Sequence, residues 1–185
     1  MPFQYLALLR GINVGGKNIV RMADLRAAVE SMGFADVVTY IASGNVLFRA
    51  PRQRREALAA RIESELTQGF DTELKVVLMT VAHLRGVVED APRGFGGDSH
   101  LSDVVYIRKP LTVKKAFSGV ELRAGVDRAW PGRGVVYFSR LAAKATSSRL
   151  NKVASLPEYK NMTIRSWSTT TKLLALMESR VDERV

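Results

Sequence analysis

Apolar positions along the chain come first as short unbroken runs and then at helical or alternating spacing. Residues 3–9 read Phe-Gln-Tyr-Leu-Ala-Leu-Leu and stop at a glycine-rich segment, which predicts a buried strand. Met22, Leu25, Val29 and Met32 then recur at helical spacing, with Gly33 placed to stop the helix. Residues 37–41, Val-Val-Thr-Tyr-Ile, are β-branched and aromatic and predict a strand. Ser43-Gly44-Asn45 predicts a turn, and residues 46–48 begin a returning strand. Pro51 opens a second helix with Leu58, Ile62 and Leu66 on one face and Gly69 as its stop, and residues 74–79 predict a fourth strand. The order is β-α-β-β-α-β, the split βαβ or ferredoxin-like arrangement. It packs two helices on one face of a four-stranded antiparallel sheet. The other face is left to water, a second domain or a ligand.

The second half repeats the order less regularly. Helices are expected over 81–88, 113–117 and 147–156, and strands over 103–107, 135–138 and 162–167. A weakly alternating stretch, 121–130, runs into a Pro131-Gly132 turn. Residues 92–99, with Gly94, Gly96 and Gly97, read as a flexible loop, and 171–181 as a terminal helix with Leu173, Leu174 and Met177 inward. The expected architecture is α+β: two tandem ferredoxin-like (α/β plait) subdomains with antiparallel sheets, 1–80 and 81–185, and an extra C-terminal helix.

Composition narrows the classes of function. The 185 residues are 46% hydrophobic and 25% charged, the usage of a globular protein rather than a disordered one. No run of eighteen apolar residues occurs, which excludes a membrane-spanning helix, so no membrane partner is expected. The start, Met1-Pro2-Phe3-Gln4, has no basic stretch leading into an apolar one, and no secretory signal is expected. The absence of cysteine removes disulfides, zinc ribbons, iron–sulfur clusters and thiol nucleophiles. The two histidines, His83 and His100, lie in no ligand-spaced motif, so no metal or cofactor is expected.

Charge is unevenly distributed. The net charge is +10, and residues 80–185 carry eighteen Lys and Arg against ten Asp and Glu. A basic half points to an anionic partner such as nucleic acid or a phosphorylated ligand; the plainer reading is a solvated basic surface.

The segment Gly11-Ile12-Asn13-Val14-Gly15-Gly16-Lys17-Asn18 fits Gly-x-x-x-x-Gly-Lys between a strand and a helix, the layout of a phosphate-cradling loop. Asn18 stands where a magnesium-binding hydroxyl belongs, and the helix starts late, so a nucleotide triphosphatase is not expected. A weaker anion cradle remains, built from Arg10, Asn13, Gly15, Gly16 and Lys17. In the expected sheet the end of the first strand lies beside the start of the third. That brings Arg10 to Ser43-Gly44-Asn45, a setting suited to a carboxylate or phosphate. The alternative is a hydrogen-bond cluster that holds the turn.

Residues 163–172, Thr-Ile-Arg-Ser-Trp-Ser-Thr-Thr-Thr-Lys, supply Arg165, Trp167 and Lys172, where a ring would stack on a base and hydroxyls meet phosphate, or where a buried Trp precedes a helix cap. Lys144, Ser147, Ser148 and Lys152 lack a third group for Ser–Lys chemistry. The strand aromatics Tyr40, Phe48, Tyr106, Tyr137 and Phe138 are expected in cores, since the RNA-recognition signature is absent.

Leu9-Arg10-Gly11-Ile12-Asn13-Val14-Gly15-Gly16-Lys17-Asn18, Met22 and Leu25, Gly33-Phe34, Thr39-Tyr40 and Ser43-Gly44-Asn45-Val46-Leu47-Phe48 resemble the bacterial domain-of-unknown-function 1697 family. Thr163-Ile164-Arg165-Ser166-Trp167, with Thr170 and Lys172-Leu173, is similar to that family's C-terminal Thr-x-Arg-Asn-Trp motif, with Ser166 in place of Asn. The resemblance implies two ferredoxin-like subdomains in one cytoplasmic protein and supplies no activity, substrate or cofactor. The leading expectation is binding of a small anionic ligand at the loop after the first strand. The alternatives are a nucleic-acid-binding module using the basic C-terminal half, and a protein-interaction or oligomerisation domain.

Overall fold

The computed structural model describes residues 2–13 and 18–182. It contains two four-stranded antiparallel sheets, and the chain divides into two compact units, Met1–His83 with Leu176–Val185, and Leu84–Ala175.

The first unit runs β1 (Phe3–Arg10), α1 (Met22–Ser31), β2 (Ala35–Tyr40), β3 (Asn45–Ala50), α2 (Arg55–Phe70) and β4 (Lys75–Thr80), with sheet order β2-β3-β1-β4. Alternation along β1 sends Tyr5, Ala7 and Leu9 to one face, where they join Val46 and Phe48 of β3, Leu25 and Val29 of α1, and Leu58, Ile62 and Leu66 of α2. Each fully buried Leu or Phe there contributes about 1.5–3 kcal/mol. Gly33 stops α1 as expected, at φ 81° with its N–H on the Glu30 carbonyl. Helix α2 instead runs past Gly69 and ends at Asp71, which takes the left-handed conformation itself (φ 47°). Its one buried carboxylate, Glu63, accepts the Val76 N–H at 2.7 Å. On the opposite sheet face Leu6, Leu8 and Leu47 are fully buried, so water does not cover them.

The second unit holds most of α3 (Val81–Glu89), then β5 (His100–Ile107), α4 (Val113–Ser118), β6 (Asp127–Pro131), β7 (Val135–Leu141), α5 (Leu150–Val153) and β8 (Met162–Ser166), with sheet order β6-β7-β5-β8. Val105, Val136 and Met162 pack with Ala116 of α4 and Val153 of α5. Three local expectations are corrected. Pro131 is the last residue of edge strand β6, where its missing N–H costs no ladder bond, rather than a turn residue. The helix expected over 147–156 shrinks to the single turn of α5. Ser148 Oγ accepts the Leu150 N–H and the Asp127 carboxylate accepts the Arg149 N–H, and both bonds compete with a longer helix. The terminal helix α6 (Trp167–Asp182) begins four residues early, because Ser166 Oγ accepts the Thr169 N–H and caps a serine- and threonine-rich first turn. Its last turn joins the first unit: Arg49 donates to the Arg180 carbonyl (2.7 Å) and pairs with Asp36 (3.1 Å).

Among the described residues, no helix is long and apolar enough to cross a membrane.

Candidate functional site

The antiparallel β1–β3 ladder brings the end of β1 to the β2–β3 turn. Leu8 stands opposite Asn45, and the Leu9 N–H meets the Gly44 carbonyl at 2.8 Å. Gly44 sits at φ 76°, and a Cβ there would lie 2.7 Å from Ile12 Cδ1 and 2.9 Å from Leu9 Cβ, so the close approach requires glycine.

The two asparagines proposed for ligand contact work as braces. Asn13 (φ 53°) donates to the carbonyls of Ala42 (2.8 Å) and Val20 (3.0 Å) and accepts the Val20 N–H (2.8 Å). The loop is closed by Asn13 N–H on the Asn18 carbonyl and by Asn18 Nδ2 on the Gly11 carbonyl. Asn45 is fully buried and donates to the Tyr40 carbonyl and to Ser43 Oγ, each at 2.9 Å. Gly15, Gly16 and Lys17 lie outside the described residues. Arg10 ends β1 half-buried, and its cross-strand neighbour is Lys75, which pairs with Glu73 at 3.0 Å. Lys75 is a second cation that the sequence reading did not single out, because only the β1–β4 register sets it beside Arg10.

Arg165, Trp167 and Lys172 belong to the second unit. Lys172 is exposed on α6. Arg165 is 6% exposed and donates to Thr163 Oγ1 and to the Ile164 carbonyl, each at 2.8 Å. Burial pulls its pKa down to about 10, against the opposing pull of the Tyr106 and Tyr159 phenols, so it is a cation at neutral pH. Tyr106 shares a hydrogen bond with Thr170 Oγ1 at 3.0 Å, and burial raises its pKa. Tyr137 donates to the Val87 carbonyl (2.7 Å), and burial, with the Asp90 charge, pushes its pKa up to about 12. Phe48, Tyr106, Tyr137 and Phe138 are at most 1% exposed, as core residues should be, while Tyr40 is half-buried.

Trp167 has company that the sequence reading missed. Phe95 lies edge-to-face against Trp167 (5.1 Å between centroids), Tyr137 (5.3 Å) and Trp130 (6.2 Å). The loop carrying Phe95 is built of tight turns: Phe95 N–H on the Pro92 carbonyl, Gly97 N–H on the Gly94 carbonyl, and Gly96 N–H on Ser102 Oγ. Phe95, Trp130 and Trp167 remain half-buried. The one signal in the sequence was a large aromatic set inside Gly94-Phe95-Gly96-Gly97, where glycines alone suggested mobility.

The remaining candidates have local roles. Lys152, required for Ser–Lys chemistry, pairs with Glu121 at 2.9 Å, and the bond from Lys152 holds the Glu121 carboxyl below its ordinary pKa. His83 Nδ1 lies 2.6 Å from Thr80 Oγ1, which also accepts the His83 N–H at the start of α3, and His100 Nδ1 lies 2.8 Å from Ser99 Oγ. Among the described residues, no three His, Asp or Glu side chains converge as metal ligands would.

Asp127, 7% exposed, is a hub of the second unit, accepting the Arg123 and Arg149 N–H groups at 2.9 Å each. Burial works to raise its pKa, but the bonds from Ser148, Arg149 and Arg123, with the Arg140 charge, outweigh burial and hold it below the usual value. A depressed native pKa stabilises the fold above the unfolded-state pKa, and that contribution is lost as pH falls through the native value. Asp127→Asn keeps an acceptor and removes the charge, so it should cost about 1–2 kcal/mol at neutral pH. Urea melts across the acid range should show this gap closing as the wild-type carboxyl protonates. A gap independent of pH would refute the assignment.

The family model described as a protein of unknown function (DUF1697) matches residues 3–137. A search of curated proteins gives no match. Among solved structures, the conserved bacterial protein SP0830 from Streptococcus pneumoniae is similar, with a TM-score of 0.84 at 23% identity, over 96% of this chain and 99% of that one. At that identity the likeness speaks to the fold. The family match spans most of the chain and includes the braced loop and the β2–β3 turn, so the chain belongs to the DUF1697 family of proteins of unknown function.

Proposed function

We propose that this protein binds nucleic acid through its second unit, and that each unit is a ferredoxin-like plait. The plait reading is supported by strand orders β2-β3-β1-β4 and β6-β7-β5-β8, which are the same order carried by successive sets of four strands. The observation that carries the nucleic-acid reading is where the charge lies. Residues 84–175 hold sixteen Lys and Arg against seven Asp and Glu, nearly all of the chain's net +10. The ion pairs Arg140–Asp103, Arg149–Glu121 and Arg133–Asp90 occupy three of the seven acids and leave cations in excess. Such a surface is matched by a phosphate backbone, whose condensed counterions are released on binding.

The test is affinity for a fluorescent oligonucleotide across a salt series. A logarithmic plot should fall steeply, with a slope of about −0.7 for each phosphate contacted on a single strand. A flat plot, or no binding at low salt, would end the reading. A second reading, a small carboxylate or phosphate ligand in a bacterial cytoplasmic protein, is favoured by Arg10 standing across from Lys75. Two cations set side by side offer a carboxylate or phosphate charge-assisted hydrogen bonds. A salt-resistant rise in melting temperature with inorganic phosphate, lost in Arg10→Ala, would put this second reading first.

A further inference from the structure

Three large rings of the second unit, Phe95, Trp130 and Trp167, are only partly buried. Trp130 lies on edge strand β6, opposite Tyr137 in the β6–β7 register, and Arg128 lies opposite Ser139. Residues two apart on a strand share a face, so Arg128 and Trp130 point to the same side. Both Arg128 and Arg93, two residues before Phe95, are exposed, and among the described residues neither makes an ion pair. The Phe95 loop is tied in place beside the indoles. Its turns and the Gly96–Ser102 bond hold it, and the Gly96 backbone lies close against Trp167.

From this geometry we infer that Phe95, Trp130 and Trp167, flanked by Arg93 and Arg128, form a stacking platform for the unpaired bases of a single strand. The inference rests on the nucleic-acid reading above and narrows it. An indole can stack only on a base whose face is open, and in a duplex those faces are covered by neighbouring pairs. Stacking on an aromatic side chain is tolerant of base identity, while guanidinium groups beside it meet the phosphates. The platform therefore selects strand state rather than sequence.

The experiment compares a short oligothymidylate with the same length of oligo(dT)·oligo(dA) duplex, using the full chain. Anisotropy of the labelled DNA reports affinity, and intrinsic tryptophan emission reports stacking. Oligothymidylate should bind more tightly than duplex and quench the emission. Trp130→Ala should weaken single-strand binding by about 5- to 150-fold, the range of one lost stacking contact, with the salt slope kept. Trp130→Phe, which retains a ring, should keep most of the affinity and guards against a folding defect in the alanine variant. Arg128→Ala should instead lower the salt slope by about one phosphate contact. Equal affinity for both DNA forms, with no quenching and no effect of Trp130→Ala, would overturn the platform and leave the nucleic-acid reading standing. Failure to bind either form at low salt would overturn both.

Discussion

Phe48→Ala is expected to destabilise the first unit by about 4 kcal/mol, within the range for removing a buried phenyl ring. Phe48 is 1% exposed on central strand β3, stacked on Phe34 at 4.7 Å and on Tyr5 at 5.7 Å. The substitution forfeits the transfer term, leaves a cavity under α1 and α2, and loses two ring pairs worth about 0.5–1.5 kcal/mol each. Against a typical domain stability of about 5–15 kcal/mol that is a large fraction. Urea denaturation followed by far-ultraviolet circular dichroism would measure it. Both tryptophans lie in the second unit, so indole emission reads that unit separately. Phe48→Leu, which refills most of the volume, should cost under about 1.5 kcal/mol. A loss below about 1 kcal/mol for the alanine variant would contradict the packing described for this core.

Gly96→Ala carries the second large effect, about 3 kcal/mol, through two additive causes. The residue sits at φ 82°, where a side chain costs about 1–2 kcal/mol. An added Cβ would lie 2.1 Å from Trp167 Cδ1 and 2.4 Å from Nε1, a clash with a rigid ring that cannot swing its end aside. Overpacking of this kind costs about 1–3 kcal/mol. The indole must move or the loop must lift, so tryptophan emission should shift to the red along with the loss of stability. Gly97→Ala is the control. Its Cβ would meet the Gly94 carbonyl at 3.3 Å, with no positive φ, and should do far less. Equal, small effects in the two variants would mean that the loop does not hold Trp167.

Much of the fold was legible because the signals are local. Alternation in β1 and the 3.6-residue spacing of Leu58, Ile62 and Leu66 need no distant partner to be read. Errors fell where a hydrogen bond or a backbone conformation overrode propensity. Asp71 rather than Gly69 closes α2, Ser166 starts α6 ahead of its apolar pattern, and Ser148 with Asp127 cuts short the helix expected over 147–156.

The candidate sites were legible only as residue types. Arg10 and the Ser43–Asn45 turn were placed together by topology alone, since antiparallel neighbours put the end of β1 beside the start of β3. Whether an asparagine there can reach a ligand depends on which carbonyl its amide finds. Asn13 finds that of Ala42, twenty-nine positions along the chain. The aromatic cluster draws on positions 95, 130 and 167, whose spacing carries no periodic signal.

The sequence by itself determined the order of strands and helices and the crowding of positive charge into the later part of the chain, because hydrophobic period and formal charge are properties of the residues in line. Only the tertiary structure decided which polar groups are consumed as braces, which cations stand side by side, and which rings are left at the surface. Those outcomes depend on strand register and loop closure. Both are fixed by packing and hydrogen bonds between residues far apart in the chain.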